Sequence, residues 1–137
     1  PAPPAELANP VINMEEKAYA KHTKSIVVFS HQKHVSDYGA TCGDCHHDAQ
    51  GKPLANLKPG DKVEPCIACH TKPGEMPKEE KKALQGLSPE EKAKKEFAYQ
   101  ADAVHENCRS CHKTWNQEHG KSAKDGAPTS CNQCHAK

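Results

Sequence analysis

The sequence predicts a mainly α-helical fold with long loops and one short β-hairpin near the N-terminus. Helix is indicated by apolar residues that recur at steps of three and four between Ala93 and Val104. A strand is indicated by the short β-branched run 25–29, which we expect to pair with residues 11–12. Residues 48–65 are rich in Gly, Pro, Asn and Lys, which predicts a long loop.

The clearest helix is predicted to begin after Ser88. Pro89 fits the first helical position, and Glu91 stands three residues after Ser88, which together are typical of a capping box with proline at N1. The apolar stripe that follows continues as far as Cys111, so we predict one helix that runs from Ser88 into this cysteine. A shorter helix is predicted over residues 78–85.

The length and composition predict a single domain with an undersized side-chain core. The 137 residues fit one domain, and residues 1–10, with four prolines, are predicted to be flexible. Only 34% of the residues are hydrophobic and 4% aromatic, so something other than side chains has to fill the interior of a folded chain. No apolar stretch approaches the roughly 20 residues of a membrane span, and the net charge of +1 gives no nucleic-acid signature.

Eight cysteines form four pairs of identical spacing, and a histidine follows each pair directly. The pairs are Cys42 with Cys45, Cys66 with Cys69, Cys108 with Cys111, and Cys131 with Cys134, followed by His46, His70, His112 and His135. C-x-x-C-H is the attachment motif of c-type haem. Two thiols about one turn apart add to the two vinyl groups of one porphyrin, and the histidine binds the iron. The sequence therefore predicts four covalent haems, whose apolar faces would form the centre of a compact multihaem cytochrome fold.

Two other uses of the cysteines are weaker interpretations. The pairs could hold two zinc ions as Cys₄ sites, or they could form disulfides. Neither use needs a histidine after each second cysteine. Histidine accounts for 10 of 137 residues, so four coincidences have a probability on the order of 10⁻⁵.

The remaining histidines are numerous enough to supply a second ligand to every iron. They are His22, His31, His34, His47, His105 and His119. The chain has two methionines, so methionine cannot serve four irons. His47 directly follows His46, and the two must therefore serve different irons. For His22 and His119 a solvated surface position is the alternative that we favour.

The segment Phe29-Ser30-His31-Gln32-Lys33-His34, followed by Cys42-Gly43-Asp44-Cys45-His46-His47, resembles the tetrahaem class III cytochromes c (cytochrome c3) of sulfate-reducing bacteria. The resemblance extends from about residue 20 to residue 137. It implies axial pairs of His46 with His31, His70 with His47, His112 with His34, and His135 with His105. It also implies that Phe29 packs between the first and third haems.

Three features depart from the family pattern. The second and fourth motifs have two residues between their cysteines where relatives often have four, the segment 71–96 is longer than usual, and His105 stands closer to the following motif. His119 therefore remains the alternative to His105 as distal ligand of the fourth haem.

The resemblance implies a periplasmic electron-transfer protein. Because two histidines on each iron would leave no open position, we expect no enzymatic activity, and because haem attachment by this motif takes place outside the bacterial cytoplasm, we expect an export signal that has been cleaved. Its expected partners are hydrogenase, formate dehydrogenase and membrane-bound multihaem complexes of anaerobic sulfate respiration. In the family, lysines around the fourth haem receive hydrogenase, which here points to Lys113, Lys121, Lys124 and Lys137. The alternatives are an electron-transfer subunit of a larger respiratory complex and, less favoured, a multihaem reductase.

Overall fold

The computed structural model describes Leu7 and residues 9–135, which form short helices, turns and one hairpin. The strands are β1 (Ile12–Asn13) and β2 (Val28–Phe29), and the helices are α1 (His31–Ser36), α2 (Lys78–Lys82), α3 (Pro89–Glu96), α4 (Gln100–Glu118) and α5 (Cys131–Cys134), with 3₁₀ turns at Cys42–Asp44 and Cys66–Ala68. The predicted mainly helical fold with a short hairpin is confirmed. The prediction for residues 1–10 lies outside the described part, except at Leu7, Asn9 and Pro10.

The described residues form two compact units. The first contains the residues up to Glu16 and Lys24–Glu64, and the second contains Lys17–Thr23 and the chain from Pro65 onwards. The first motif therefore lies in the first unit, and the other three lie in the second.

The hairpin anchors helix α1. β1 and β2 are antiparallel, with Ile12 opposite Phe29, which confirms the predicted pairing with strands shorter than expected. The side-chain oxygen of Gln32 on α1 accepts a hydrogen bond from the Leu7 amide at 2.7 Å, and the Gln32 amide donates to the Pro10 carbonyl at 2.9 Å. These bonds hold α1, with His31 and His34, against the chain that leads into β1.

The single helix predicted from Ser88 to Cys111 is wrong, because the structure divides it into α3 and α4. Its beginning is as predicted: the Ser88 hydroxyl accepts from the Glu91 amide, and the Glu91 carboxylate accepts from the Ser88 amide, both at 3.3 Å. The helix is interrupted at Tyr99, whose backbone is extended with φ −89° and ψ 125°. There Lys72 donates to the Ala98 carbonyl and accepts from the Gln100 amide, and these two backbone bonds replace helical ones.

The segment 71–96 folds onto the first turn of α4. The Asp102 carboxylate accepts from the Met76 amide at 2.7 Å and pairs with the Lys81 ammonium at 3.4 Å. The Tyr99 hydroxyl donates to Glu80 at 2.8 Å. Helix α2, at Lys78–Lys82, is shorter than the predicted 78–85. Among the described residues of the second unit, the only buried apolar side chains are those of Met76 and Leu84, which are 6% and 7% exposed.

The side-chain core is as small as the composition predicts. No side chain of the described residues is completely enclosed, and the chain exposes 10409 Å² of surface. In the described part of the chain, no helix has the length and apolar character that crossing a membrane requires.

Candidate haem-binding sites

The four C-x-x-C-H motifs adopt a similar helical turn. In three of them the histidine amide donates to the carbonyl of the first cysteine, four residues earlier: His46 to Cys42, His70 to Cys66 and His135 to Cys131, at 2.8–2.9 Å. The third motif lies within α4, where the same bond belongs to the helix. One turn therefore places both thiols of each motif on one side, with the imidazole directly after them.

The second cysteine of the second motif shows how such a turn ends. Cys69 lies directly after the 3₁₀ turn Cys66–Ala68, and its amide donates to the Cys66 carbonyl at 3.2 Å. The backbone of Cys69 stays in the right-handed helical region, with φ −110° and ψ −39°. The turn thus delivers Cys69 and then His70 next to Cys66, in the order that haem attachment requires.

Most of the eight thiols are accessible from solvent. Cys42 and Cys134 are half-buried, and the exposed cysteines are Cys45, Cys66, Cys69, Cys108, Cys111 and Cys131. No disulfide joins any of the eight. Within Leu7 and residues 9–135, no group of three or more His, Cys, Asp or Glu side chains is arranged to hold a metal ion. The paired thiols therefore stand where a porphyrin edge could reach them, and the donor set fits covalent attachment of haem c.

Backbone carbonyls orient five of the eight histidines that the sequence predicts to be iron ligands. His31 contacts the Asn9 carbonyl through Nδ1 at 2.9 Å, and His34 and His47 contact Ser30 and Asp48 in the same way at 2.8 Å. His70 contacts the Phe97 carbonyl, and His112 the Pro128 carbonyl.

These contacts determine which ring nitrogen carries the proton. A carbonyl oxygen only accepts hydrogen bonds, so Nδ1 is protonated in each of these five rings. Nε2 then keeps its lone pair, which is the arrangement that a histidine needs to bind a metal. The sequence predicted the ligands, whereas the carbonyl partners of His70 and His112 were not predicted, since they lie 27 and 16 residues away.

The first motif has two further histidines beside it. Burial lowers the pKa of His46, and the imidazoles of His31 and His47 lower it further. The Phe29 ring lies 5.5 Å from the His31 ring and 4.7 Å from the His34 ring, centroid to centroid. The structure thus places Phe29 beside His31 and His34, which the resemblance implies as the distal ligands of the first and third haems.

The predicted axial pair of the fourth haem also lies together. The rings of His105 on α4 and His135 after α5 are 6.4 Å apart, with an angle of 84° between their planes. Two imidazoles that bind one metal from opposite sides, with bonds of about 2 Å, have ring centres roughly 6 Å apart. The spacing of His105 and His135 therefore fits an iron held between them.

The second, third and fourth motifs gather around the middle of α4. Although solvent reaches part of Cys108, the atoms packed around its thiol desolvate it and raise its pKa, and the neighbouring thiols of Cys134, Cys66 and Cys111 raise it further. Helix α4 packs against the 3₁₀ turn of the second motif. The Arg109 side chain on α4 donates to the Thr129 carbonyl, just before the fourth motif, at 3.1 Å.

The two spare histidines differ in their surroundings. His119 is exposed, as predicted, and its ring stacks on Trp115 at 4.0 Å. The prediction of a solvated surface position is wrong for His22, whose ring stacks on Tyr19 at 4.9 Å and whose Nε2 is buried without a hydrogen-bond partner. Tyr19 itself donates to Gln100 at 2.5 Å, and this contact holds the segment that carries His22 against α4.

Asn116 is a buried polar residue that the sequence did not single out. It is 7% exposed and lies on α4, where both ends of its side-chain amide bind the backbone of Ala127. It lies beyond Cys111, where the predicted helix ended, so no sequence signal pointed to its role.

The lysines that flank the last two motifs are exposed where the structure describes them. Lys113, Lys121 and Lys124 are solvent-accessible, and Lys137 lies outside the described residues.

The comparisons with known proteins give one match. A family model of the class III cytochrome c family matches residues 7–135, a range that includes all four motifs and all ten histidines. No curated protein matches the chain, and no solved structure matches it.

Proposed function

The chain belongs to the class III cytochrome c family, and we propose that it is a periplasmic electron carrier with four low-potential haems. Membership of the family implies covalently bound haem c and electron transfer. When bound, each haem supplies an iron that takes up and releases one electron. The observation that carries the proposal of four haems is the common turn of the C-x-x-C-H motifs, since each one presents two thiols and an imidazole in the same order.

We propose that two histidines bind each iron. The axial pairs are His46 with His31, His70 with His47, His112 with His34, and His135 with His105. The 6.4 Å separation of His105 and His135 supports the fourth pair. The first, second and third pairs rest on the sequence resemblance.

Two imidazoles on every iron would leave no coordination position for a substrate. This ligand set also favours low reduction potentials compared with a methionine ligand. The chain's residues would hold the haem ligands in place and limit the access of water to the irons. The chemical conversion of substrates would take place in the partner proteins. These properties favour a carrier over a reductase.

The proposed partners are redox proteins that supply and remove electrons. Hydrogenase or formate dehydrogenase would donate, and a membrane-bound multihaem complex would accept, in anaerobic sulfate respiration. Lys113, Lys121 and Lys124 are exposed near the third and fourth motifs, where they could attract an acidic partner surface and raise the association rate. A periplasmic location is proposed because haem attachment to C-x-x-C-H takes place outside the bacterial cytoplasm.

The proposal is tested on the holoprotein made together with a haem-attachment system. A pyridine haemochrome assay should give four haems per chain, and EPR of the oxidised protein should show low-spin iron throughout. The reduced protein should not bind carbon monoxide. A count below four would contradict the tetrahaem assignment, and stoichiometric carbon monoxide binding would show an open coordination position.

A further inference from the structure

We infer that Asn116 is a positioning residue for the third haem, because it fixes the backbone segment whose carbonyl orients the proximal ligand His112. The inference rests on the proposed function in one respect, namely that His112 binds an iron. Asn116 acts through residues 126–128.

The Asn116 side chain binds both the amide and the carbonyl of the Ala127 backbone. Its Oδ1 accepts from the Ala127 amide at 2.7 Å, and its Nδ2 donates to the Ala127 carbonyl at 2.9 Å. The Asn116 carbonyl also accepts from the Lys121 amide at 2.8 Å. Asn116 is 7% exposed, and bonds shielded from water are costly to leave unmade. This paired contact therefore fixes Ala127 relative to α4.

Gly126 makes the approach of this segment to α4 possible. A Cβ added at Gly126 would overlap Oδ1 of Asn116, and it would also lie 2.7 Å from Lys121 Cβ and 2.9 Å from the Ser122 carbonyl oxygen. The Gly126 amide donates to that same Ser122 carbonyl at 2.8 Å. Residue 126 must therefore lack a side chain if Ala127 is to reach the Asn116 amide.

The residue after Ala127 makes the contact with the haem ligand. The Pro128 carbonyl accepts from Nδ1 of His112 at 2.5 Å. Asn116 and His112 are four residues apart on α4, so they project from the same side of the helix toward the same segment. The Asn116–Ala127 contact thus determines where the Pro128 carbonyl stands relative to the imidazole.

This carbonyl has two effects on His112. It keeps the proton on Nδ1 and holds the ring plane, so that Nε2 remains the nitrogen that binds iron. It also increases the basicity of the imidazole, which favours the oxidised iron and lowers the reduction potential. Loosening the segment should therefore raise the potential of the third haem.

The experiment compares Asn116→Ala with Gln117→Ala in the holoprotein. Both changes remove an amide side chain from α4 and both give alanine's helix propensity, but Gln117 is exposed. NMR would follow the exchange of the His112 Nδ1 proton with water, and a redox titration with assigned haem methyl signals would give each potential. In wild type, the Nδ1 proton should exchange at least ten times more slowly than that of an exposed imidazole.

In Asn116→Ala we expect the exchange of the His112 Nδ1 proton to become at least tenfold faster. The reduction equilibrium of the third haem should shift about threefold toward the reduced form, or about 30 mV at 59 mV per tenfold. Gln117→Ala should change neither quantity. Gly126→Ala should reproduce both effects from the other side of the contact, and it serves as the second variant if Asn116→Ala fails to fold.

The inference is overturned if the wild-type His112 Nδ1 proton exchanges as fast as that of an exposed imidazole. It is also overturned if Asn116→Ala or Gly126→Ala loads four haems and leaves the third potential unchanged. The proposed function fails in a different way, through a wild-type haem count below four or an iron that His112 does not bind. The two failures are therefore distinguishable.

Discussion

The imidazole rings of His105 and His135 lie 6.4 Å apart and nearly perpendicular, at 84°. His105 projects from the second turn of α4, and His135 follows the fourth cysteine pair. Two histidines separated by 30 residues along the chain are thus brought to the spacing that one metal ion between them would require.

Replacement of His105 should expose one iron. We expect His105→Ala to retain four haems, because the cysteines are unchanged, and to bind one carbon monoxide per chain when reduced, because the fourth haem would lose its distal imidazole. Titration of the visible spectrum with carbon monoxide measures this stoichiometry.

The matched control is His119→Ala, which removes the other candidate ligand. His119 stacks on Trp115 and is exposed, so this variant should not bind carbon monoxide. The reverse result, with binding only in His119→Ala, would assign His119 to the fourth haem.

Without haem the chain should be largely unfolded. Its described residues enclose no side chain completely, which leaves little apolar burial to offset the entropy of the unfolded chain. Far-UV circular dichroism of protein made without haem attachment should show much less helix than the holoprotein. A well-dispersed NMR spectrum of the haem-free chain would contradict this.

Asp102 should stabilise the contact between the segment 71–96 and α4. Asp102→Ala leaves the Met76 amide without its acceptor, which we expect to cost about 1–3 kcal/mol. Lys81 should contribute little, because its side chain is 37% exposed. Hydrogen exchange at the Met76 amide should therefore accelerate about tenfold or more. Glu106→Ala, at an exposed site on the same helix, is the control and should leave that rate unchanged.

The Ser88 hydroxyl should stabilise helix α3. Ser88→Ala removes the acceptor for the Glu91 amide, at an expected cost of about 1 kcal/mol. The Lys92 amide, which donates to the Ser88 carbonyl in the first turn, should exchange about fivefold faster. Ser88→Thr keeps the hydroxyl and should exchange at nearly the wild-type rate. Equal rates in the alanine and threonine variants would show that the cap does not limit opening of the helix.

Asp125 should make stability depend on pH in the acid range. The hydroxyl and the amide of Ser122 both donate to its carboxylate, which lowers the pKa of Asp125. Because the folded state favours the charged form, this contribution is complete above the ordinary pKa and disappears as the pH falls through the lowered one. In Ser122→Ala an NMR titration should show the pKa of Asp125 closer to its ordinary value, while Ser122→Thr should keep it low.

Local signals predicted the parts of this structure that depend on neighbouring residues. The capping box at Ser88 depends on bonds between residues three positions apart, and both bonds are present. The break at Tyr99 could not be predicted, because it arises from backbone bonds to Lys72, far back in the sequence. The apolar residues keep their helical spacing on both sides of Tyr99, so their pattern does not show the break.

The candidate sites likewise have parts that the sequence predicts and parts that it does not. Cysteine spacing predicts the attachment residues, since the thiols of one haem have to lie on one turn. The Pro128 carbonyl beside His112 and the Asn116 amide behind it leave no mark on the sequence, because these contacts join residues that lie more than ten positions apart. The hydrogen bonds that orient His112 form only in the folded chain, so they are seen in the structure and not in the sequence.

Helix α4 carries both His105 and His112, and their separation has a geometric consequence. Seven residues along an α-helix span about 10 Å and return to nearly the same side. Inserting one residue between them would rotate one ligand by about 100° relative to the other. A change in loop length, for instance within 48–65, should therefore leave the relation between the two ligands unchanged, whereas an insertion or deletion between 105 and 112 should reorient one of them.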